Sequence, residues 1–210
     1  MAGAVVRGSV VVLVGTTVLF SGLAAQAAYE DPDWPCIQRL VPEFSAATIW
    51  DGPPIDDALR AWREKPAIRD LVARLAARPA NSEQAERKIT AFVKTLKNGE
   101  KNPALTMLFV GLWVTLNDKR RTVIEGIKRF ARQQRDRAER IEKKLLDLDR
   151  ISANTTTADR AKIEELRHDM ALEVRIFEDR EKSITYLCEQ PVKIESTLGG
   201  LARVISSQLD

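Results

Sequence analysis

Apolar side chains recur every three or four residues along most of the chain after residue 54, which is the spacing of one face of a helix. Prolines and glycines divide this pattern into segments. Pro66 and Pro103 stand where helices can begin, and Pro79 and Asn98-Gly99 stand where helices end. The pattern therefore predicts several short helices before residue 104. Their apolar positions are Leu59, Trp62, Ile68, Leu71, Val72, Leu75, Ala85, Ile89, Phe92, Val93 and Leu96.

The next segment, Ala104–Leu116, is apolar on nearly every side of a helix. At 1.5 Å per residue it spans about 20 Å, which is short of the ~30 Å hydrocarbon core of a bilayer. We therefore expect the central buried helix of a globular domain rather than a membrane span. Because no breaker follows Leu116, this helix is expected to run on into the next stretch.

Two later stretches carry heptad seams, in which apolar-type positions alternate in steps of three and four residues. The loop 152–157 separates them, so the chain is expected to fold back at Asn154 as an antiparallel, coiled-coil-like hairpin over residues 119–190. The positions of the first arm are Ile124, Ile127, Ala131, Gln134, Ala138, Ile141, Leu145 and Leu148. The positions of the second arm are Ile163, Leu166, Met170, Glu173 or Val174, Phe177, Arg180, Ile184 and Leu187.

The charges of the two arms differ in sign. Residues 119–150 hold 12 basic and 6 acidic side chains, whereas residues 158–190 hold 6 basic and 9 acidic ones. A fold at Asn154 places Ala131 opposite Phe177 and the basic residues near Glu178–Glu181. We interpret the basic arm as neutralised by its partner helix. A patch for lipid headgroups or another anion is the alternative. Its residues would be Lys119, Arg120, Arg121, Lys128, Arg129, Arg132 and Arg135.

Residues 28–54 contain five prolines, which forbid a long helix. Three aromatic residues, Trp34, Phe44 and Trp50, are spaced along this segment. Such a segment is too apolar for a solvated tail. We expect an extended strap whose aromatic side chains insert into the helical body, with a short helical turn near Ser45–Ile49.

The first 27 residues have the pattern of a secretory signal. Arg7 precedes the apolar run Ser9–Phe20, and Ala25-Gln26-Ala27 is a small-residue cleavage motif. Cleavage is predicted after Ala27, and an uncleaved anchor is the alternative. Removal of this segment would leave residues 28–210 in a periplasmic or secreted location.

Cys36 and Cys188 are the only cysteines of the chain. A redox pair would normally be spaced C-x-x-C, and two cysteines with one histidine are too few for a zinc cluster. In an oxidising compartment we expect these two cysteines to form a structural disulfide. Cys188 ends the second arm, so the bond would tie the strap to the base of the hairpin.

Composition and motifs exclude several function classes. The formal net charge of +3 is too small for a nucleic-acid binder that works through bulk charge. The sequence lacks the nucleophile, phosphate-binding and metalloprotease motifs G-x-S-x-G, G-x-x-x-x-G-K-[ST] and H-E-x-x-H. The one histidine, His168, falls on the polar side of the second arm. We expect no catalytic residue, no metal and no cofactor; the enzyme alternative is a carboxylate-based site assembled from distant residues, which a linear sequence does not show.

Together these patterns predict an all-α exported protein: a signal peptide (1–27), a strap (28–54) and a helical domain (55–210) that ends in a helix over Ile194–Gln208. The expected function is that of a non-enzymatic interaction or scaffold protein, an accessory subunit of an envelope system with a protein partner. Exchange of hairpin arms would allow a homo-oligomer. The alternative is a carrier of a small molecule or lipid. Its apolar pocket would be lined by Trp62, Phe92, Leu108, Phe109 and Trp113.

Overall fold

The computed structural model describes residues 31–77, 82–153 and 159–210 and shows an all-α protein. Within these ranges the regular structure consists of α-helices and two 3-10 turns, without any strand. The helices are α1 (Ala58–Ala61), α2 (Pro66–Ala76), α3 (Ser82–Val93), α4 (Lys101–Ala153), α5 (Asp159–Glu181) and α6 (Ser183–Ser206). The predicted fold class is confirmed: a small helical body, a long antiparallel hairpin and a preceding proline-rich strap.

The predicted signal peptide, residues 1–27, lies outside the described residues and stays a prediction. Residues 154–157 of the predicted reversal loop also lie outside them. In the part of the chain that the structure describes, none of the helices is long and apolar enough to span a bilayer.

The body surrounds one hydrophobic core formed by the short helices, the beginning of α4 and the end of α6. Pro66 occupies the start of α2, where its missing N–H would have no helical partner in any case. The predicted apolar stripe of α2 is buried, as expected from its spacing. At the centre of the core lie side chains of α4 with no exposed surface, namely Leu105, Leu108, Phe109, Val110 and Leu112.

The approach of α4 to the short helices depends on Gly111. A Cβ atom at Gly111 would lie 2.6 Å from Cγ2 of Val72 and 3.0 Å from Cε3 of Trp62. Trp62 begins the 3-10 turn Trp62–Glu64 that follows α1. Because such separations are below van der Waals contact, any larger side chain would force these residues to move.

The connection between α3 and α4 differs from the prediction. α3 ends at Val93, earlier than the predicted stop at Asn98-Gly99. Gly99 instead occupies a tight turn that is closed by a 3.1 Å hydrogen bond from the Glu100 N–H to the Lys97 carbonyl. Its φ of +84° is in the left-handed region, which glycine adopts without steric cost. Pro103 lies in the first turn of α4.

Two of the three aromatic residues predicted to insert into the body, Phe44 and Trp50, do so, whereas Trp34 lies outside the core and donates from Nε1 to the Gln38 carbonyl. Phe44 is buried, and its backbone N–H donates a 2.9 Å hydrogen bond to Oδ1 of Asn117 on α4. Trp113 Nε1 donates to the Phe44 carbonyl at 2.8 Å. Trp50 stacks on Phe109 with ring centroids 4.2 Å apart. Between these anchors lies the 3-10 turn Ala46–Thr48, close to the short turn that the sequence predicts.

The predicted disulfide is present. The sulfur atoms of Cys36 and Cys188 are 1.99 Å apart and their Cα atoms 5.6 Å apart, within the range that a disulfide requires. The bond connects the strap to α6, which is the element at the base of the hairpin.

α6 is continuous through Pro191, whereas the sequence predicts an arm that ends near residue 190 and a separate helix from Ile194. Proline in a helix interior removes a backbone donor and opens the turn before it. Two neighbouring carbonyls receive hydrogen bonds from outside the helix. Gln38 Nε2 donates to the Cys188 carbonyl, and Arg120 Nη1 donates to the Pro191 carbonyl, both at 2.7 Å. These bonds tie α6 to the strap and to α4 around Pro191.

The register of the hairpin differs from the prediction by about one to two helical turns. A fold at Asn154 would place Gln134 opposite residue 174, but its Nε2 donates to the Phe177 carbonyl and to Glu181 Oε1. α4 continues to Ala153 and α5 begins at Asp159, so the midpoint between the two helix ends falls two residues after Asn154. The pairings of the two arms are shifted in the same direction.

The seam of the hairpin is also more polar than predicted. Ile124, Ile127, Ala131 and Gln134 are buried as expected, but Ala138 is exposed and Leu145 is 43% exposed. Arg137 and Lys144, one residue earlier in each case, are the half-buried side chains at those levels. Leu148 and Ile163 are buried again near the tip.

Candidate functional site

The strap covers the basic face of α4. Lys128 forms an ion pair with Asp31 at 2.9 Å, and Arg132 forms one with Asp33 at 2.5 Å. Arg135 contacts Asp33 as well and donates a 2.8 Å hydrogen bond to the Pro32 carbonyl. The sequence assigned the neutralising charges to Glu178–Glu181 of the second arm, and that assignment is wrong. Two carboxylates of the strap hold these cations instead.

These contacts shift the ionisation of the strap carboxylates. Hydrogen bonds from Lys128 to Asp31, and from Arg135 and Arg132 to Asp33, hold the pKa values of both carboxyls below their usual 3.8. The same contact with Asp31 raises the pKa of Lys128. On this covered face, each ion pair therefore stabilises the charged form of both of its side chains.

The other residues of the predicted basic patch are dispersed. Arg120 is buried at the base of the hairpin, where its Nε donates to the Val41 carbonyl at 2.8 Å. Arg121 pairs with Glu43 and Asp118. Lys119 Nζ lies 3.5 Å from the Ala76 carbonyl, and Arg129 is exposed. The seven cations therefore do not form one open anion-binding surface.

The predicted apolar pocket coincides with the core. Leu108 and Phe109 have no exposed surface, Trp62 is 7% exposed, and Phe92 and Trp113 pack against the same cluster. A surface pocket of about 390 Å³ lies elsewhere. Its lining includes Pro53, Ala58, Pro103 and Met107 and none of the five predicted residues. The five side chains therefore belong to the packed core and stabilise the body.

A polar layer crosses the middle of the hairpin. Arg180 of α5 donates from Nε to Gln134 Oε1 at 2.9 Å and from Nη2 to Gln133 Oε1 at 3.2 Å. Its guanidinium also lies over the ring of Phe130, 4.5 Å from the centroid. Polar groups at a helical seam favour one register over its neighbours, because any shift would leave them without partners. This layer stabilises the observed pairing.

A second polar contact lies further along the hairpin. Lys144 Nζ is 2.7 Å from Glu173 Oε1, and this hydrogen bond is the main reason that the pKa of Glu173 lies below its usual value. Arg140 and Arg137 add a smaller electrostatic effect in the same direction. Two buried atoms here, Glu173 Oε2 and Arg137 Nε, have no hydrogen-bond partner among the described residues. Some polar groups of the seam in this region therefore lack hydrogen bonds.

The outer hairpin, which we define as residues 136–153 of α4 and 159–176 of α5, exposes large apolar side chains. Leu145 is 43% exposed, Leu146 57%, Leu172 52% and Ile176 39%. The ion pair between Lys144 and Glu173 brings their chain neighbours Leu145 and Leu172 to one level of the hairpin. Exposed leucines on both arms, beside a polar seam, form a surface that a second molecule could cover.

Two kinds of group remain, the single histidine of the chain and possible metal ligands. His168 is exposed on α5, and its Nδ1 lies 4.0 Å from Oδ1 of Asp169. No three side chains among histidine, cysteine, aspartate and glutamate are placed to bind a metal ion in residues 31–77, 82–153 and 159–210.

Sequence reasoning missed the acidic residues of the strap. Asp31 and Asp33 flank Pro32, and their chain separation from α4 is about one hundred residues, as in the hydrogen bond from Arg132 to Asp33 with a separation of 99. A signal was present in the charge excess of the first arm, which exceeds what the second arm can neutralise. That excess of positive charge does not show which segment of the chain carries the neutralising carboxylates.

Comparison with known proteins gives no relative. No protein-family model, no curated protein and no solved structure matches the chain significantly.

Proposed function

We propose that this is an exported, periplasmic, non-enzymatic interaction protein, an accessory subunit of an envelope system, and that its outer hairpin binds a protein partner. The observation that carries the proposal is the exposure of Leu145, Leu146 and Leu172 on an otherwise charged hairpin. Burial of a leucine side chain is worth about 1.5–3 kcal/mol. A partner that buries these leucines would gain this free energy, because they remain exposed in the hairpin itself.

The location rests on two further observations. The disulfide between Cys36 and Cys188 is compatible with an oxidising compartment, and the sequence of residues 1–27 has the pattern of a secretory signal. N-terminal sequencing of the protein from its native envelope tests this part. A first residue of Ala28 is expected, and intact residues 1–27 on a cytoplasmic protein would contradict it.

The polar seam supports a role for the outer hairpin in recognition. A hairpin that served only as a rigid spacer would gain stability from Leu145 in the seam, yet Lys144 and Glu173 lie there and Leu145 is turned outward. Polar pairs fix register and orientation at some cost in stability. They would hold the exposed leucines at fixed positions relative to a partner.

The test is a pair of charge substitutions. Leu146→Glu with Leu172→Glu places carboxylates on the outer hairpin without touching its buried positions. Leu59→Glu, at a residue 36% exposed on α1, is the matched control. Photo-crosslinkers at positions 146 and 172 in the native envelope should give one partner, identified by its crosslinked peptide. We expect its purified form to bind wild type and control equally, and the double variant at least tenfold more weakly. Equal binding to all three would contradict the proposal.

A further inference from the structure

A pocket of about 430 Å³ lies beside the disulfide, where the strap, α4 and α6 meet. We call it the junction pocket. Its volume is within the range of small-molecule sites, about 300–1,000 Å³. The side chains that matter for its chemistry are Trp34, Gln38, Phe44, Arg120, Val192 and Glu195.

Arg120 is a buried cation at this pocket without a carboxylate partner. Only 5% of the residue is exposed, and its hydrogen bonds go to two backbone carbonyls, those of Val41 and Pro191. Among the described residues no carboxylate forms an ion pair with it. Burial lowers the pKa of the guanidinium and the more distant Glu195 opposes that shift, but an arginine stays charged.

An unpaired buried charge is costly. Removing an ion from water costs several kcal/mol, and this cost is offset when a counter-ion and hydrogen bonds replace the water. Arginine has five N–H donors in a planar fork, and the two carbonyl bonds of Arg120 use its Nε and its Nη1. The fork therefore retains donors for an anion. The planar fork of a guanidinium matches the two oxygens of a carboxylate.

Part of the pocket wall is apolar, beside the polar and charged residues Arg39, Glu43, Ser45 and Thr48. The ring of Phe44 lies under the guanidinium of Arg120, 4.1 Å from its carbon to the ring centroid. Trp34 also lines the pocket, with its indole Nε1 already bonded to the Gln38 carbonyl at 2.7 Å, so it offers only a ring face. Val192 contributes an aliphatic side chain that is 47% exposed. A ligand here would place an apolar group against these side chains.

Gln38 supplies an unused acceptor. Its Nε2 donates to the Cys188 carbonyl at 2.7 Å, which fixes the amide, and its Oε1 is buried without a hydrogen-bond partner among the described residues. An unsatisfied buried acceptor costs about 1–3 kcal/mol. A ligand with one N–H group would remove this cost.

We propose that the junction pocket binds an apolar carboxylate that carries an N–H group, with Arg120 holding the carboxylate and Gln38 Oε1 accepting the N–H. This is the chemistry of a free N-acyl amino acid or of the C-terminal residue of a peptide. The inference is independent of the function proposed for the outer hairpin, because the two surfaces share no residue.

The first test measures binding to the oxidised wild-type protein by calorimetry or NMR. The probe is N-acetyl-phenylalanine. Two control compounds each lack one group, namely its amide, which has no carboxylate, and 3-phenylpropionate, which has no N–H. We expect the probe to bind at least tenfold more tightly than its amide and measurably more tightly than 3-phenylpropionate. Equal affinity of probe and amide, or no binding at about millimolar concentration, would overturn the proposal.

Variants locate the site. Arg120→Gln should weaken binding of the probe at least tenfold, and Glu195→Gln should strengthen it because a negative charge leaves the pocket rim.

Since Arg120 also holds two carbonyls, its loss could unfold the junction. Val192→Trp therefore provides a second test, filling the pocket from its exposed side, with Leu59→Trp on α1, at a residue that does not line the pocket, as control. Unchanged binding to a folded Val192→Trp protein would overturn the proposal.

Peptides then identify the source of the carboxylate. A tetrapeptide that ends in phenylalanine is compared with its C-terminally amidated form and with the free N-acyl amino acid. Tighter binding of the free-acid peptide than of the N-acyl amino acid assigns the site to a polypeptide end, and the reverse order assigns it to a small molecule. Equal binding of the amidated and free-acid peptides would contradict a carboxylate site.

Discussion

The body and the outer hairpin use the same long helix in different ways. In the body, α4 is surrounded, and Leu105, Leu108 and Phe109 have no exposed surface. In the outer hairpin the same helix has one neighbour, α5, and exposes Leu145 and Leu146. The difference arises in the number of elements that pack against α4 rather than in helix propensity, since both parts belong to one unbroken helix.

This contrast shows where stability and accessible surface are located. The body has an apolar core, a strap held by ion pairs to α4, and a disulfide. The outer hairpin has a seam with unsatisfied polar atoms and leucines in solvent. Regions with few buried apolar contacts open first, and binding surfaces are drawn from such regions. The outer hairpin is accordingly the part that a partner would stabilise.

Removal of the disulfide should have the largest effect on the body. The cysteines are separated by 152 residues, so Cys36→Ser removes a constraint worth about 4–5 kcal/mol from the denatured state. We expect the melting temperature to fall by about 8–20 °C. Limited proteolysis should then cut the strap before the hairpin. Cleavage that begins in the outer hairpin of this variant would show that the disulfide does not hold the strap.

Matched leucine truncations should separate the two regions. Leu105→Ala in the body should lower the free energy of unfolding by about 3–5 kcal/mol, because it leaves a cavity in a closed core. Leu148→Ala, near the tip, should change it by less than about 1 kcal/mol, since the outer hairpin can open locally. Hydrogen exchange should accelerate throughout for the first variant and only in residues 136–176 for the second. Equal global losses would mean that the two regions unfold as one unit.

The polar seam of the outer hairpin allows a stabilising change. Lys144→Leu alone leaves the half-buried Glu173 without its partner and should cost about 1 kcal/mol, allowing for solvent screening. Lys144→Leu with Glu173→Leu should restore or exceed wild-type stability by about 1 kcal/mol. Chemical denaturation of the four proteins of this double-mutant cycle gives the coupling energy. A double variant less stable than both single variants would contradict the interpretation of the seam as a source of specificity.

Low pH should loosen the strap with a smaller effect. Asp31 and Asp33 have folded pKa values below 3.8, so their contribution is fully present above pH 3.8 and is lost as pH falls through the lower folded values. We expect protease sensitivity of the strap to rise in that acid range. Asp33→Asn should remove part of the pH dependence while leaving the outer hairpin unchanged. If the strap were equally protected from protease in both proteins at all pH values, the ion pairs would not be what keeps it on α4.

Local patterns in the sequence predicted much of the fold. The stripe Ile68–Leu75, the central helix Ala104–Leu116 and the Cys36–Cys188 bond are each present, because helix spacing, continuous apolarity and a single cysteine pair leave few alternatives. The insertion of strap aromatics into the body was predictable as well, because large aromatic side chains tend to be buried.

Pairings between distant segments could not be predicted to the same degree. The register error arose because Ser152 and Ala153, which the sequence predicts as loop, belong to α4. The partner of the basic face was missed because any acidic segment can neutralise a cation, and Asp31 and Asp33 reach α4 only after the strap is positioned by Phe44 and the disulfide. The junction pocket depends on three elements at once, which no single stretch of sequence shows.

The continuity of α4 has a mechanical consequence. From Leu116 to Ala153 the helix extends about 55 Å beyond the core, so a tilt of about one degree at its buried end moves the tip by about 1 Å. The returning chain is interrupted at Lys182, between α5 and α6, whereas α4 has no break. Force applied at the tip would therefore be transmitted along α4 to its buried end. There it would act on the strap and the core that pack against the helix.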